Sequence, residues 1–272
     1  MRVACAQLDV AFGQPMANAE TAVQTQRDLA EKGVDLVVFP EAYLTGYCVD
    51  SLVDAREIAI EATHPAIQSI EAASRELGVI AVVGFAEASE GQVFNSAAII
   101  LPDRTAIYRK THLPELGLDK FVGVGDALEV YDTPKGKIGV AICFDLRIPE
   151  VCRVLALKGA ELIVLPTNWP DGAVFAPTHI APVRAAENRV FVATCNRVGN
   201  ENGFGFIGLS GIFSPTGEPL VRAREMPEII MADLDLSQAR TKRNVTIPGK
   251  YETDVFGSRR PELYGVLTEP LA

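Results

Sequence analysis

Two short apolar segments of the chain show a weak resemblance to each other. The segment from Lys32 to Pro40 reads KGVDLVVFP, and the segment from Lys158 to Pro166 reads KGAELIVLP. Each follows a stretch of helical composition and has the near-continuous apolar run that is typical of a strand in a helix-covered sheet. Because only two copies occur, a solenoid repeat is excluded. The chain is therefore predicted to contain two similar helix-then-strand units of an α/β fold.

Composition narrows the class of protein and of ligand. The 272 residues are 48% hydrophobic, enough for one large α/β domain or two modest ones, and no compositional shift marks a linker. The net charge is -10, and no cluster of five or more lysines and arginines occurs. This argues against a nucleic-acid or anionic-membrane partner and favours a small-molecule substrate.

The cysteines and the amino terminus bear on the compartment. The five cysteines are odd in number, widely spread and without CxxC spacing, so neither a disulfide framework nor a zinc site is indicated. Residues 1 to 10 lack the apolar core of a signal peptide and read as a strand. The longest apolar run, Gly78 to Ala86, is far short of the ~20 residues that cross a bilayer. We expect a cytoplasmic protein without metal or cofactor.

Three chemically distinct side chains stand at predicted strand ends. Glu41 follows the strand that ends at Phe39, Lys110 follows a predicted hairpin strand from Ala106, and Cys143 ends a β-branched run before a helix that opens at Pro149. Side chains from distant strands converge at such ends, and the positive end of a following helix is predicted to lower the pKa of Cys143.

A nucleophile, a proton shuttle and a cation are what amide hydrolysis requires. Cys143, Glu41 and Lys110 supply one of each. Each residue alone also has a plainer interpretation: a buried cysteine, a solvated loop carboxylate and a surface lysine. Periodicity does not decide between these interpretations.

The other predicted elements frame these residues. They are a helix over 18–32, helices over 51–77 with a break at His64-Pro65, strands over 79–85 and 95–101, a long loop over 111–126, a helix over 178–189, a strand over 190–195, a strand over 205–213 and a polar tail. The tail is either a wrapping arm or poorly ordered.

Three motifs resemble the carbon-nitrogen hydrolase, or nitrilase, superfamily. They are FPEAYLTGY from Phe39 to Tyr47, YRKTHL from Tyr108 to Leu113, and ICFDLRIPE from Ile142 to Glu150. Further matches are RAAENR at 184–189, the strand-turn at 208–217 and DVFGSRRPELY at 254–264. The resemblance thus covers nearly the whole chain.

The resemblance implies a fold and a dimer. The fold is a four-layer α-β-β-α sandwich in a single domain over 1–272, which pairs with a second copy into an αββα-αββα dimer. Residues 245–272 would be a tail that contacts the partner subunit. The protein would be at least a homodimer.

The resemblance also implies a Glu-Lys-Cys triad. Glu41 would be the general base, Lys110 would hold the oxyanion together with the backbone N–H of Phe144, and Cys143 would form a thioester that water hydrolyses. Many members carry a second acid in the loop after the lysine. Asp119 is the favoured residue for that place, and Glu115 is the alternative.

Several neighbours are candidates for substrate binding. In family members that act on carboxylate or carbamoyl substrates, the neighbourhood of Arg147 contributes, although an ion pair is an equal reading for this arginine. Asn168 and Trp169 follow a strand and are predicted to line the pocket rim, with Tyr47 and Tyr43 on the facing side. For His112 and His179 we predict polar packing rather than metal binding.

The predicted activity is that of a cysteine amidase acting on a small aliphatic amide or ω-amide. A nitrilase often has tryptophan directly after the nucleophile, where this chain has Phe144. Carbamoyl hydrolases tend to show paired arginines or an asparagine just after the cysteine, where this chain has Arg147 alone. A catalytically silent binding protein on the same fold is disfavoured because Glu41, Lys110 and Cys143 are all present.

Overall fold

The computed structural model describes residues 1–270 and contains two large β-sheets with helices outside them. The α-helices are α1 (Pro15–Ala30), α2 (Leu52–Ile58), α3 (Pro65–Leu77), α4 (Pro149–Leu157), α5 (Ala181–Asn188) and α6 (Ser237–Arg240). The strands are β1 (Arg2–Gln7), β2 (Leu36–Val38), β3 (Ile80–Ser89), β4 (Gln92–Ile100), β5 (Thr105–Arg109), β6 (Val130–Thr133), β7 (Gly136–Val140), β8 (Leu162–Thr167), β9 (Phe191–Asn196), β10 (Asn200–Glu201), β11 (Phe204–Gly205), β12 (Gly211–Phe213), β13 (Pro219–Arg222), β14 (Glu228–Asp233), β15 (Arg243–Ile247) and β16 (Tyr251–Asp254).

The two six-stranded sheets have the same plan. Their strand orders are β14-β1-β2-β3-β4-β5 and β13-β12-β9-β8-β7-β6. In each sheet three strands are parallel, β1-β2-β3 in one and β7-β8-β9 in the other, and the outer strands are antiparallel. The two similar sequence segments form β2 and β8, the middle strand of each parallel trio.

Strands β2 and β8 contain apolar runs because both faces of each strand are buried. Leu36 and Val38 point into the core between the two sheets, whereas Val37 packs against the helical layer of α1 and α3. In β8 the residues alternate in the same way between the inter-sheet core and the layer of α4 and α5. Successive side chains of a strand point to opposite faces, so a strand covered on both sides is apolar throughout. This arrangement confirms the predicted four-layer α-β-β-α sandwich.

Capping residues and a proline define where α3 begins and ends. The predicted break at His64-Pro65 separates α2 from α3, and the His64 ring nitrogen accepts a hydrogen bond from the backbone N–H of Ala66. Pro65 fills the first helical position, where its missing N–H costs nothing. The helix ends at Gly78, whose φ of 68° is left-handed.

The region from 205 to 213 differs from the prediction of one strand. It forms the two short strands β11 and β12, because Gly208 and Leu209 between them have positive φ values of 62° and 58°. Strand β14, which pairs antiparallel with β1, was not predicted at all. The loop over 111–126 contains a short 3-10 turn from Gly117 to Phe121.

The carboxyl-terminal tail forms an extended arm in the described part of the chain. It begins with the β15-β16 hairpin and continues through two 3-10 turns, and most of its residues are exposed. Residues 271 and 272 of the predicted arm lie outside the described residues. Contact with a partner subunit stays a prediction.

Candidate active site

Glu41 reaches the site through a sharp turn after β2. Ala42, the next residue, has a φ of 48°, and this turn lies directly on Gly84 of β3. A Cβ atom on Gly84 would lie 2.4 Å from the backbone nitrogen of Ala42 and 2.6 Å from the carbonyl oxygen of Pro40. The absence of a side chain at Gly84 therefore lets the Glu41 turn pack against the sheet.

Lys110 lies at the end of β5, as predicted, and its backbone is held on both sides. Its N–H donates to the carbonyl of Asn95, and its carbonyl accepts from the N–H of Gly125. The Lys110 side chain is completely buried. The alternative interpretation of Lys110 as a surface lysine is therefore wrong.

Cys143 begins a tight 3-10 turn three residues after the end of β7. Its φ of 44° is left-handed, a conformation that a non-glycine residue adopts only when its surroundings hold it there. Asp145 supplies that hold, because its buried carboxylate accepts hydrogen bonds from the backbone N–H of Ile142 at 2.9 Å and from the hydroxyl of Tyr108 at 2.7 Å.

The same carboxylate of Asp145 binds the segment that follows Lys110. It accepts from the Thr111 hydroxyl and from the backbone N–H of His112, each at 3.0 Å, and it lies 2.9 Å from Nδ1 of the His112 ring. Asp145 therefore ties the turn of Cys143 to the strand end of Lys110. His112 has the polar packing role that was predicted, and His179 is exposed with its ring 5.0 Å from that of Phe175.

A buried ionic cluster surrounds the Lys110 ammonium. Its Nζ lies 2.8 Å from Oε1 of Glu41 and 2.6 Å from Oδ2 of Asp119. The Asn95 amide donates to both carboxylates at 2.8 Å, and the Tyr47 hydroxyl donates to Asp119 at 2.7 Å. Four polar side chains thus hold the ammonium and one another in place.

Burial and charge shift the pKa values in this cluster. Burial alone would lower the pKa of Lys110, but the charges of Glu41 and Asp119 outweigh it and raise the pKa above its ordinary value. Burial raises the pKa of Glu41, the Lys110 charge opposes this rise, and the Asp119 charge adds to it. The lysine is therefore a permanent cation, and Glu41 is a carboxylate that takes up a proton readily.

The predicted low pKa of Cys143 is wrong. Burial, followed by the charge of Glu41, raises the pKa of the thiol to about 12, and Lys110 opposes this rise only in part. Cys143 opens a short 3-10 turn, and α4 begins only at Pro149, so no helix end lies at the sulfur. The resting thiol is protonated at neutral pH and requires a base.

The two candidate second acids have different surroundings. Asp119 is 3% exposed and contacts Lys110, Asn95 and Tyr47, whereas Glu115 is exposed. Glu115 is an ordinary loop carboxylate in this structure. The geometry supports Asp119 as the second acid.

Of the aromatic residues predicted to lie at the substrate pocket, only some lie beside the Lys110 cluster. Tyr47 faces the cluster, with its ring centroid 6.0 Å from the Lys110 nitrogen, but Tyr43 does not. The turn at Ala42 directs Tyr43 into the helical layer, where it packs on Phe39, so its predicted place beside the pocket is wrong. Phe144 is partly buried directly after Cys143.

Asn168 and Trp169 are buried rather than placed on an open rim. Trp169 is 4% exposed and belongs to the apolar cluster that Cys143 also contacts. The Asn168 amide is buried, and neither its oxygen nor its nitrogen has a hydrogen-bond partner within residues 1–270. Arg147 is exposed and forms none of the ion pairs in the described chain, so the alternative of a structural ion pair gains no support there.

Two supporting residues of the site were missed by sequence reasoning. Asn95 comes from β4, where nothing in the local sequence distinguishes it from any other strand asparagine. Asp145 stands inside the cysteine motif, and this position was the one available signal for its role. Both are recognised only by what they contact.

Similarity to known proteins identifies the family of this chain. The chain matches the family model for carbon-nitrogen hydrolases over residues 2–244. The protein belongs to the carbon-nitrogen hydrolase family. The resemblance seen in the three motifs is thereby confirmed, and the enzyme is a hydrolase of carbon–nitrogen bonds.

Relatives of this carbon-nitrogen hydrolase carry several activity names. A protein named nitrilase from Pyrococcus abyssi is 37% identical over 270 residues, which cover 97% of this chain and 99% of the relative. An (R)-stereoselective amidase from Pseudomonas sp is 32% identical over 239 residues, which cover 86% and 83%. The crystal structure of an amidase from Nesterenkonia sp. shares the fold, with a TM-score of 0.83, 24% identity and coverage of 97% and 95%. No helix within residues 1–270 is long and apolar enough to span a membrane.

Proposed function

We propose that this carbon-nitrogen hydrolase cleaves a small linear amide, aliphatic or ω-amide, to a carboxylic acid and ammonia. The observation that carries the proposal is the state of Glu41. One of its carboxylate oxygens binds Lys110 and Asn95, while the other, Oε2, is buried and has no hydrogen-bond partner in the described residues. A buried carboxylate with a free oxygen is poised to accept a proton.

In the proposed first half-reaction Glu41 takes the proton of the Cys143 thiol. The thiolate attacks the amide carbon, and the electron pair of the carbonyl moves to its oxygen. Two of the three N–H groups of Lys110 are engaged by Glu41 and Asp119, which leaves the third for this oxyanion beside the backbone N–H of Phe144. The tetrahedral intermediate collapses as Glu41 returns the proton to the nitrogen, and ammonia leaves.

In the second half-reaction water replaces ammonia. Glu41 takes a proton from the water as its oxygen attacks the thioester carbon, and the same donors stabilise the second oxyanion. The carbon–sulfur bond then breaks, Cys143 regains its proton from Glu41, and the acid is released. Asp119 serves as the second acid by holding Lys110 in place between the two carboxylates.

The side chains proposed to bind the substrate suit a small molecule with polar ends. Asn168 has an unpartnered amide that can bind the substrate, and Tyr47 and Trp169 contribute the apolar walls. Arg147 is exposed and is proposed to meet a substrate carboxylate at the entrance. The same cluster of Glu41, Lys110, Asp119 and Cys143 is compatible with two alternatives, an N-carbamoyl hydrolase and a nitrilase. Because the Pyrococcus abyssi relative is named a nitrilase, nitriles are included among the test substrates.

The proposal is tested by ammonia release from a panel of aliphatic amides, ω-amides, N-carbamoyl compounds and nitriles. Cys143→Ala should abolish release, while the matched control Cys152→Ala, which removes a buried thiol of α4, should retain it. Turnover of nitriles or carbamoyl compounds alone would replace the amide proposal. Release that survives Cys143→Ala would refute the mechanism, and a protein silent on the whole panel would favour the binding-protein alternative.

We also propose that the enzyme works in the reducing cytoplasm. All five cysteines are free in the structure. Separation of cell fractions tests this, and recovery of the protein outside the cytoplasmic fraction would contradict it.

A further inference from the structure

A fully buried arginine stands outside the cluster described so far. Arg197 is the largest side chain without solvent exposure, and its guanidinium pairs with Glu201 and, at 2.9 Å, with Asp9. The plane also stacks on the Phe206 ring at 4.4 Å. A buried guanidinium is costly to desolvate, so it requires these carboxylates to remain there.

The other carboxylate oxygen of Glu201 binds the backbone of the loop that follows Glu41. Oε1 accepts hydrogen bonds from the N–H groups of Tyr47 and Cys48, both at 2.7 Å. The neighbouring Asn202 amide donates to the carbonyl of Cys48 at 2.6 Å. The β10-β11 hairpin, which lies between β9 and β12 of the second sheet in the chain, therefore clamps a loop of the first sheet.

Tyr47 carries this constraint on to Asp119. Its carbonyl accepts from the N–H of Leu118 at 2.8 Å, and its hydroxyl donates to Asp119 at 2.7 Å and lies 3.0 Å from the carbonyl oxygen of Leu116. The ring lies so close to Gly117 that a Cβ there would come within 2.5 Å of it. The loop that bears Asp119 is thus fastened to Tyr47 through both backbone and side chain.

We propose that Glu201, held by Arg197, is a positioning residue for the reaction: it fixes the Tyr47–Cys48 backbone and thereby keeps Asp119 on the ammonium of Lys110. The inference rests on the proposed function, because it assigns Asp119 to the catalytic cluster. Glu201 itself touches neither Lys110 nor Cys143, so its effect must pass through Tyr47 and the 116–119 loop.

A matched control is available at the far end of the second sheet. Glu161 is also buried, also accepts a backbone N–H, that of Lys137 at 2.8 Å, and also pairs with an arginine, Arg240. It precedes β8, whereas the site lies beyond the other end of that strand. Glu161→Ala therefore removes a buried carboxylate, its backbone hydrogen bond and its pair with the more exposed Arg240 without touching the Tyr47 loop.

The experiment compares Glu201→Ala, the milder Glu201→Gln, Glu161→Ala and Asp119→Asn, together with the double variant of Glu201→Ala and Asp119→Asn. It measures kcat and KM for the best amide, the rate of Cys143 alkylation by iodoacetamide, and Tm. We expect Glu201→Ala to lower kcat by roughly tenfold to a hundredfold with a smaller change in KM, since small misplacements of catalytic groups cost this much. Glu201→Gln should lose less, because its amide oxygen still accepts from both N–H groups.

The double variant separates positioning from general stability. If Glu201 acts through Asp119, its removal adds less than about twofold to the loss already caused by Asp119→Asn, since coupled residues are not additive. Losses that multiply would overturn the proposal. So would a Glu201→Ala protein that loses Tm as Glu161→Ala does while kcat and the alkylation rate stay within twofold of the wild type.

Failure of the proposed function is distinguishable from failure of this inference. A wild-type protein that releases no ammonia refutes the amidase assignment, whereas alkylation of Cys143 needs no substrate and still reports on the clamp. If Glu201→Ala does not fold, Glu201→Gln carries the same comparison.

Discussion

The ammonium nitrogen of Lys110 lies 2.8 Å from a carboxylate oxygen of Glu41, and neither side chain has any solvent-exposed surface. Asp119 adds a second carboxylate at 2.6 Å. One cation thus pairs with two buried acids, and burial, together with the charge of Asp119, raises the pKa of Glu41 against the opposing charge of Lys110. This arrangement supports the proposed proton transfer at Oε2 of Glu41, which has no hydrogen-bond partner within residues 1–270.

The pH dependence of activity should report this raised pKa. Glu41 acts as a base only when it is ionised, so kcat/KM should fall as the pH drops through a value above 4.5, the ordinary pKa of a glutamic acid. A pH profile of amide hydrolysis measures this acidic limb, and Glu41→Gln should abolish activity at every pH. An acidic limb at or below pH 4.5 would contradict the assignment.

Replacing Lys110 with methionine should destabilise the protein at neutral pH. The change leaves two adjacent buried carboxylates without a cation, a loss of about 3 to 5 kcal/mol for a broken buried ion pair. Without the cation the folded-state pKa of Glu41 rises further, so the folded protein binds more protons than the unfolded chain between that pKa and pH 4.5. The loss of stability should therefore shrink as the pH falls from 7 to 5.

Urea unfolding at both pH values measures the effect of Lys110→Met. Lys120→Met serves as the control because Lys120 lies on the same 3-10 turn as Asp119 but is exposed. An equal loss at both pH values would mean that the two carboxylates do not cause the instability.

Gly84→Ala should displace Glu41 without breaking the fold. The added Cβ would meet backbone atoms of Pro40 and Ala42 at 2.6 and 2.4 Å, and backbone yields less easily than a side-chain tip. Overpacking of this kind costs about 1 to 3 kcal/mol, and a shifted base lowers kcat by roughly a hundredfold. Gly265→Ala, where no atom lies within 4 Å of the new Cβ, should leave kcat and Tm unchanged.

Asp145→Asn should loosen the nucleophile turn. The carboxylate accepts from donors on Tyr108, Thr111, His112 and Ile142, and an asparagine replaces one acceptor oxygen with a donor group. Each buried donor left facing that NH2 costs about 1 to 3 kcal/mol. Chemical denaturation and kcat should both show the loss, whereas the exposed Asp132→Asn should show neither.

The predicted dimer can be tested through the arm. Leu263, Val266 and Leu267 are each more than 60% exposed in the single chain, which is unusual for apolar side chains clustered together. Sedimentation velocity at micromolar concentration should show at least a dimer. Substitution of all three by serine should shift the distribution toward the monomer while leaving Tm of the folded chain largely intact, and a wild-type monomer would rule out the prediction.

The sequence was most informative where the pattern is local. The apolar runs of β2 and β8, the break at His64-Pro65 before α3 and the strand ends that carry Glu41 and Lys110 all depend on residues a few positions apart. Such patterns survive in any fold that covers both faces of the strands, so they could be predicted. The three motifs added the family, and the family model over residues 2–244 confirmed it.

Only the tertiary structure decided which of the similar residues belong to the site. Asp119 was separated from Glu115, and Tyr47 from Tyr43, by how a turn directs each side chain into or away from the cluster. The structure also reversed the predicted direction of the Cys143 pKa shift. Burial and the carboxylate of Glu41 raise this pKa by more than the nearby cation Lys110 lowers it.

The sequence by itself determined the layers of the fold, and its motifs contain the proposed nucleophile Cys143, the proposed base Glu41 and the proposed oxyanion-binding cation Lys110. The three-dimensional packing determined their electrostatics and their support, through partners such as Asn95, Asp145 and Glu201. Glu201 reaches Tyr47 across 154 positions of the chain. The physical reason is that periodicity and capping act between near neighbours, whereas desolvation and charge depend on every group that the fold brings within a few ångströms.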